Sequence, residues 1–508
     1  MAKRKREAVA GSETKVPVKK AKATTRTSQP LPSAPKLSDH TPVTIQIVAG
    51  SYDRVLHGIT ATVKPSPARS APKGKRQKDG TTTTPQEDVG AAEFADTFLF
   101  NAHNSAIRCL ALSPPSAPSP GQTQKVLLAT GSTDERINLY NLSAHPPSDG
   151  SNKPGADAED ARLLSALAPR PILENPKNRE LGTLLHHNSN ITRLAFPNRS
   201  KLLSASEDSS VAVTRTRDWA LLHTFKCPVP KPQGRPSGDT AAAGTAPAGV
   251  NDFAVHPSNK IMITVSKGER CMRLWNLETG KKSRVLNFER AALGEIGEGR
   301  HSTGEARRIV WGEEEFAVGF DRDVLVFGMD CRVRCRVMRD TRTKVHEFRY
   351  VETGGGEDES VLAVSTEDGR VLFFDTGPEG LEQPVEEKTL PVAKLVAQLG
   401  GKEAGVSGRI KDFTVLPVEG EDGEKVFFIV TASSDGRIRL WQLSADDLGG
   451  KGGRTRQVGK LLGTYGTQNR ITCVGAFVMI PRPEGAEESE YEFDDSEEDD
   501  DEDDSDGE

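Results

Sequence analysis

The stretch ASSDGRIRLW at 432–441 decides the fold, because a small polar turn at Asp435 and Gly436 separates two apolar runs. Apolar segments of period two on both sides of such a turn predict a two-stranded β-hairpin. The pattern occurs seven times, at 48–58, 129–140, 204–213, 264–275, 318–327 (a degraded copy), 364–374 and 432–441. A supersecondary unit that recurs in this way predicts a repeat architecture.

A second pattern, of two or three spaced apolar residues, precedes six of the hairpins and follows the last. Its copies are Ile107/Leu110/Leu112, Ile191/Leu194/Phe196, Val250/Phe253/Val255, Ile309/Trp311 (first position Ala306), Val345/Phe348/Tyr350, Ile410/Phe413/Val415 and Ile471/Val474. We interpret these copies as the strand of each sheet that lies nearest to the axis. Seven units of three or four strands predict an all-β fold, a seven-bladed β-propeller whose blades are stable only when packed in a ring.

The two ends of the repeat region predict how the ring closes. The first hairpin, at 44–63, has no inner strand before it, and the last inner strand, at 470–478, has no hairpin after it. The simplest arrangement places Arg470–Val478 as the inner strand of the first blade. Such closure removes the exposed strand edges that an open sheet would present.

The hairpins end in RLWNL at 273–277, RLWQL at 439–443 and NLYNL at 138–142, and here the chain resembles the WD-repeat family. That resemblance implies a hydrogen-bond network between a turn Asp, a His before the inner strand and a Trp on the third strand. The matching residues are Asp134, Asp208, Asp368 and Asp435 for the Asp, His103 and His187 for the His, and Trp275 and Trp441 for the Trp. No blade retains all three, and we expect these residues to be structural.

The composition divides the 508 residues into three regions, with opposite charges at the two ends. We predict a disordered basic arm at 1–42, the propeller at 43–480 and a disordered acidic tail at 481–508. Residues 1–36 hold ten Lys or Arg and two Glu, whereas residues 484–508 hold seventeen Asp or Glu and no basic residue. Disordered insertions are expected at about 64–92, 144–178, 228–248 and 378–406.

Two basic clusters in the arm suit nuclear import. They consist of Lys3, Arg4, Lys5 and Arg6, and of Lys19, Lys20 and Lys22. An acidic tail of this kind is typical of proteins that handle basic partners. We therefore expect the protein in the nucleus.

Catalytic and metal-binding motifs are missing from the sequence. There is no Walker loop, no GxSxG elbow and no HExxH pair. Cys331 and Cys335 lie close together, but no second Cys or His pair completes a zinc site. No run approaches the ~18 apolar residues that cross a bilayer. We expect no enzyme activity, no cofactor, no metal and no membrane partner.

The residues beside the first apolar position of each inner strand provide a candidate binding site. Because side chains alternate along a strand, both neighbours should lie near one mouth of the channel. The basic ones are Arg108, Arg307, Lys344, Arg409, Lys411 and Arg470, with Tyr52, Arg54 and Arg437 on or beside the hairpin turns. An incomplete basic ring of this kind would attract phosphate backbones or acidic protein segments, although ordinary solvated rim charge is the alternative.

A narrower resemblance is carried by VAGSYDRVLHG at 48–58, FLFNAHNSAIRCLA at 98–111, LHHNSNITRLAF at 185–196 and NRITCVGAF at 469–477. In this order, these segments resemble the WD-repeat family of PAK-kinase-interacting proteins, which are nucleolar factors in assembly of the large ribosomal subunit. The resemblance implies a non-catalytic scaffold, a monomeric ring within a larger assembly. Its implied partners are a pre-ribosomal large-subunit particle, a ribosomal-like protein and ribosomal RNA.

A second function stays open, because some members of the family are described as negative regulators of PAK-type kinases. The chain would then be an adaptor that docks on such a kinase. This hypothesis predicts a cytoplasmic pool and binding that is insensitive to ribosomal RNA.

Overall fold

A computed structural model describes residues 42–64, 91–119, 122–147, 172–229, 248–299, 302–338, 343–353, 360–383, 389–420, 424–449 and 456–482. By compactness the chain divides into Met1–Ala34 and Pro35–Glu508, and the described residues all belong to the second unit. The predicted arm, its import clusters and nearly all of the acidic tail lie outside the described residues. The predicted insertions at 64–92 and 228–248 do so almost entirely.

The strands form seven four-stranded antiparallel blades, which we number from the N-terminus. Blade 1 contains β1 (Val43–Ser51), β2 (Val55–Val63), β3 (Ala92–Asn101) and, innermost, β30 (Ile471–Val478). Blade 2 contains β4 (Ile107–Leu112), β5 (Lys125–Ser132), β6 (Ile137–Ser143) and β7 (Arg179–Leu184). Blade 3 contains β8 (Ile191–Asn198), β9 (Lys201–Ser206), β10 (Ser210–Arg215) and β11 (Leu221–Lys226). Blade 4 contains β12 (Val250–Val255), β13 (Ile261–Ser266), β14 (Cys271–Asn276) and β15 (Lys281–Asn287).

The remaining three blades follow the same plan. Blade 5 contains β16 (Arg308–Trp311), β17 (Glu315–Gly319), β18 (Val324–Gly328) and β19 (Val333–Arg336). Blade 6 contains β20 (Val345–Glu352), β21 (Ser360–Thr366), β22 (Arg370–Asp375) and β24 (Val392–Gly400). Blade 7 contains β25 (Ile410–Glu419), β26 (Lys425–Ser433), β27 (Arg437–Ser444) and β29 (Lys460–Gly466). The connections hold helix α1 (Arg290–Glu295), the short strands β23 (Leu381–Glu382) and β28 (Arg456–Gln457), and 3₁₀ turns at Pro378–Gly380, Lys402–Ala404 and Ala445–Asp447.

The hydrophobic core lies between the blades. Each pair of neighbouring blades shares one cluster of buried apolar side chains, so the described residues contain seven such seams. Because the middle strands are covered on both faces, strands such as β5 and β26 are apolar along most of their length, and strict alternation is lost.

The ring is closed by the C-terminal strand, as the sequence predicts. β30 pairs with β1 in antiparallel register from Ile45 opposite Val478 to Ser51 opposite Ile471. The seam that follows is tight, because a Cβ atom at Gly50 would lie 2.7 Å from both the Cys473 sulfur and the Ile107 Cγ2 atom. The seven-bladed propeller and the seven predicted inner strands are therefore confirmed.

One predicted insertion is wrong in part. Residues 378–406 contain β24, which is the outer strand of blade 6 and runs antiparallel to β22. β24 also makes parallel pairings with β19 of blade 5, at Arg336 and Val392, and with β28. The prediction failed because Gly-, Pro- and Glu-rich sequence separates β24 from the hairpin to which it belongs.

Candidate functional site

The hairpin turns and the starts of the inner strands meet at one end of the channel, which we call the mouth. In blade 1 the amide of Tyr52 donates a hydrogen bond to the Arg470 carbonyl over 2.8 Å. The same contact joins Thr133 to Ala106 in blade 2, and it recurs in blades 3, 4, 6 and 7. The residues beside the first inner-strand position therefore lie next to the turns.

Three of the six basic residues predicted around the mouth are neutralised by carboxylates. Asp321 accepts ion pairs from Arg307 at 3.2 Å and from Lys344 at 3.0 Å, and Glu367 pairs with Arg409 at 3.0 Å. The predicted incomplete basic ring is thus smaller than the sequence suggests, because these two turn carboxylates lie beside the cations.

The other three residues of the predicted ring, Arg108, Lys411 and Arg470, make no ion pair with any described residue. The Lys411 ammonium lies 3.5 Å from the His346 Nε2 atom. The guanidinium carbon of Arg470 lies 5.6 Å from the centre of the Tyr52 ring, which is within cation–π distance.

The cations around Lys411 are close enough to perturb the protonation of neighbouring groups. Burial, together with the charges of Lys411, Lys344 and Arg409, lowers the pKa of His346 to about 4, so this imidazole is neutral at pH 7. Burial and the charges of Arg409 and Arg470 also lower the pKa of Lys411. Burial is the larger cause in both cases, and the neighbouring cations act in the same direction.

The predicted border residues Tyr52, Arg54 and Arg437 are exposed at the turns of blades 1 and 7. Arg54 has a positive φ of 72° and lines a cavity of about 400 Å³ between the turns of blades 1 and 2. Arg136, which was not predicted as part of the candidate site, lines the same cavity.

A buried ionic network lies deeper in the channel and was missed by the sequence analysis. Arg193 is 3.3 Å from the carboxylates of both Asp252 and Glu347. Arg308 approaches Glu347 at 3.5 Å, and Arg349 approaches Asp412 at 3.4 Å. We call these three arginines and three carboxylates the channel waist (Arg193, Arg308, Arg349, Asp252, Glu347 and Asp412).

The channel waist also joins neighbouring blades. Asp252 accepts a hydrogen bond from the Ile309 amide of blade 5, over 3.0 Å, and Asp412 accepts one from the Val474 amide of blade 1, over 2.9 Å. Burial opposes the ionisation of Glu347, but Arg193 and Arg308 outweigh it and lower the pKa of Glu347 to about 2. Burial outweighs the nearby arginines at Asp252 and Asp412 and raises the pKa of both carboxyls.

Five of the six waist residues could have been found from the third position of each inner strand, and Arg349 lies two residues further along β20. Around the ring this position holds Cys109, Arg193, Asp252, Arg308, Glu347, Asp412 and Cys473. One cavity, of about 330 Å³, lies towards the mouth, and a second, of about 450 Å³, includes the waist residues Arg193, Arg308 and Glu347. The second cavity is lined both by charged side chains such as Arg349 and Asp412 and by apolar ones such as Leu112, Phe196 and Trp311.

The predicted WD-repeat networks form in blades 2 and 3 without a Trp. His103 bridges Asp134 (3.1 Å) and Thr130 (2.9 Å). His187 makes the equivalent contacts in blade 3, with Asp208 (3.0 Å) and the Ser204 hydroxyl (2.8 Å). The carboxylates of Asp134 and Asp208 also accept hydrogen bonds from backbone amides of the preceding loop.

Blades 4 and 7 replace the missing His with an Arg. The Trp275 and Trp441 indoles donate to the hydroxyls of Thr264 and Thr431, over 2.9 and 3.1 Å. The buried guanidinium two residues before each Trp pairs with the turn acid, Arg273 with Glu269 and Arg439 with Asp435. In blade 6 the turn Asp368 pairs with Arg370.

Among the described residues, no group of three or more His, Cys, Asp or Glu is placed to hold a metal ion. The described helices are all too short and too polar to span a membrane.

Comparisons with known proteins agree with this architecture. The model of the WD domain, G-beta repeat family matches residues 178–213, which run from the end of blade 2 into blade 3. Protein MAK11 of Saccharomyces cerevisiae is 26% identical over 378 residues, which cover 70% of this chain and 71% of that protein. The p21-activated protein kinase-interacting protein 1-like of Danio rerio is 22% identical over 454 residues, covering 89% and 84%. Shk1 kinase-binding protein 15 of Schizosaccharomyces pombe is 19% identical over 397 residues, covering 78% and 77%.

Proposed function

Because this chain is a WD-repeat protein of the family that includes MAK11 and the p21-activated protein kinase-interacting proteins, we propose that it is a non-catalytic scaffold in assembly of the large ribosomal subunit. It acts in the nucleus and the nucleolus. Its partner is a pre-ribosomal particle or a ribosomal-like protein within that particle.

The observation that carries the proposal is the electrostatic state of the mouth. Arg108, Lys411 and Arg470 lie at the mouth and make no ion pair with any described residue. A concave surface with uncompensated positive charge attracts polyanions and accelerates their association. Pre-ribosomal particles are rich in phosphate, so the mouth suits them as a docking surface. The basic clusters of the N-terminal arm supply a route into the nucleus.

Gradient sedimentation of the tagged protein from gently lysed cells, with and without ribonuclease, tests the proposal. We expect migration with precursors of the large subunit that is lost after ribonuclease treatment. The Lys411→Glu/Arg470→Glu variant should migrate as free protein. The Lys281→Glu/Lys282→Glu variant is the matched control, because it makes the same charge change on the exposed outer strand of blade 4. Migration of the wild type as free protein would contradict the proposal.

A second candidate function is supported by the names of two relatives. The proteins of Danio rerio and Schizosaccharomyces pombe are named for kinase interaction or kinase binding. The chain would then be an adaptor that docks on a PAK-type kinase and restrains it. Co-purification of the chain with the kinase, unaffected by ribonuclease and retained by the Lys411→Glu/Arg470→Glu variant, would favour this candidate.

A further inference from the structure

The cations of the mouth are distributed unevenly around it. On the side formed by blades 3 to 6, Lys267, Arg307 and Lys344 form ion pairs, for example Lys267 with Glu207 over 2.6 Å, and Arg270 donates to the backbone carbonyls of Ser302 and Thr303. On blades 7, 1 and 2, six cations have no ion-pair partner in the described part of the chain. These six are Arg54, Arg108, Arg136, Lys411, Arg437 and Arg470, and together with Tyr52 we call them the cation crescent.

The crescent is continuous at its centre. Tyr52 and Arg470 are joined by a backbone hydrogen bond of 2.8 Å and by the contact between ring and guanidinium. The amide of Thr467 donates to the Gly436 carbonyl over 2.8 Å, and this contact brings the turn that carries Arg437 against the loop before Arg470. On the other side of Tyr52, Arg54 and Arg136 line one cavity.

Three of the four carboxylates in the same turns accept hydrogen bonds, and the fourth, Glu135, precedes Arg136 in the turn of blade 2. Asp53 accepts a hydrogen bond from the Arg470 amide over 3.2 Å. Asp134 bonds to His103 and to backbone amides, and Asp435 bonds to the Arg437 amide and to Arg439. These contacts fix the turns. Burial lowers the pKa of Lys411, the charges of Arg409 and Arg470 add to this effect, and a bound anion would offset their part of it.

We infer that the cation crescent binds single-stranded RNA, with its guanidinium groups on the phosphates and one base stacked on Tyr52. Five of the six cations are arginines, whose planar forks match phosphate oxygens in a bidentate way. The Tyr52 side chain is 59% exposed, although it is a large aromatic ring beside the channel. An exposed aromatic ring among cations is the combination that binds single strands without sequence preference.

The exposed Tyr52 ring favours single-stranded RNA over two other possible ligands of the crescent. An acidic peptide would use the cations equally well, but it offers no base to stack on Tyr52. Double-stranded RNA presents phosphates, but its bases are paired and stacked within the helix. This inference rests on the proposed function, in which the mouth is the docking surface. It can be tested separately, because RNA affinity can be measured without ribosome precursors.

The test is fluorescence anisotropy of the full chain with a labelled single-stranded RNA of about 12 nucleotides, a length within the usual range for one single-strand site. We expect Arg54→Gln/Arg470→Gln to weaken binding and to reduce the slope of log Kd against log salt by about 1.4, because each phosphate contact contributes about 0.7 in single strands. Tyr52→Ala should weaken binding about fivefold or more, whereas Tyr52→Phe, which keeps the ring, should bind within about twofold of wild type.

The control is Lys281→Gln/Lys282→Gln, which removes two charges from the exposed strand β15, and its salt slope should be unchanged. The basic N-terminal arm is present in every variant, so its contribution cancels in the comparison. Melting curves establish that each variant is folded.

Two results would overturn the inference. One is equal RNA affinity for the crescent variant and the control variant, which would place RNA binding elsewhere. The other is an unchanged affinity for Tyr52→Ala together with equal competition by a glutamate-rich peptide, which would make the crescent a dock for acidic protein. Ribonuclease-sensitive sedimentation could persist in either case, so the proposed function can stand when this inference fails.

Discussion

Replacing Glu347 by Gln tests whether the channel waist is a buried network of charges. The substitution preserves the shape of the side chain but removes its negative charge, so Arg193 and Arg308 lose one of the two carboxylates that they share and keep Asp252. The pKa of Glu347 lies at about 2 instead of its ordinary 4.5. At about 1.4 kcal/mol per pKa unit, this difference corresponds to about 3 kcal/mol of unfolding free energy at neutral pH. The cost of breaking a buried ion pair, ~3–5 kcal/mol, agrees with that value.

The assay is equilibrium denaturation in urea, with the free energy of unfolding compared between wild type, Glu347→Gln and Glu352→Gln. Glu352 is the matched control, because it lies at the exposed end of the same strand, β20, where substitutions usually change stability by less than ~0.5 kcal/mol. Agreement between two spectroscopic probes would establish that unfolding is two-state.

The pH dependence of the free energy of unfolding, compared between wild type and Glu347→Gln, gives an independent test. Because folding depresses the pKa of Glu347, its contribution is complete above about pH 4.5 and is lost as the pH falls towards 2. The difference between wild type and Glu347→Gln should therefore shrink over that range. A difference below about 1 kcal/mol at pH 7, or one that does not change with pH, would refute the description of Glu347 as a buried charged group.

Three further predictions concern the blades. Trp441→Ala should lower the free energy of unfolding by ~3–5 kcal/mol in urea denaturation, because the indole is 3% exposed and bonded to Thr431; an unchanged midpoint would contradict a core role. Asp208→Asn should lower the free energy of unfolding by about 2 kcal/mol at pH 7 and by less below about pH 4. The reason is that contacts with His187 and Ser210 outweigh burial and lower the pKa of Asp208 to about 2. A pH-independent loss of stability on denaturation would show that the charge of Asp208 does not matter. Gly50→Val should lower the melting temperature, whereas Gly466→Val, at an open position, should be tolerated better; equal melting temperatures would mean that the seam between blades 1 and 2 can relax.

The sequence was sufficient for the architecture because the same local pattern is repeated in every blade. Seven hairpins and seven inner strands each carry a weak signal, and their agreement predicts both the number of blades and the closing strand. The prediction at 378–406 failed because the pairings of β24 are not local in sequence. β24 is identified by its pairing with β22 and by its parallel contacts with β19 and β28, and those partners are distant in sequence.

The candidate site was predicted less completely, because charge pairing is a property of three-dimensional neighbours. The sequence places Arg307, Lys344 and Arg409 beside the mouth, but only the structure brings Asp321 and Glu367 against them. The waist was missed for a related reason. Register shifts occur at the beginning of most inner strands, for example between Val250 and Asp252, and there simple alternation does not predict where a side chain points.

The position of the cation crescent connects the fold with the proposed binding. Tyr52 belongs to the N-terminal hairpin and Arg470 to the C-terminal strand, so their contact exists only when β30 is docked in blade 1. A ligand held by both residues binds the closed ring and not the open chain, and such a ligand stabilises the closed ring by mass action. RNA that engages the crescent should therefore raise the melting temperature of the wild type. The same RNA should have a smaller effect on Tyr52→Ala, even if the two free proteins melt alike.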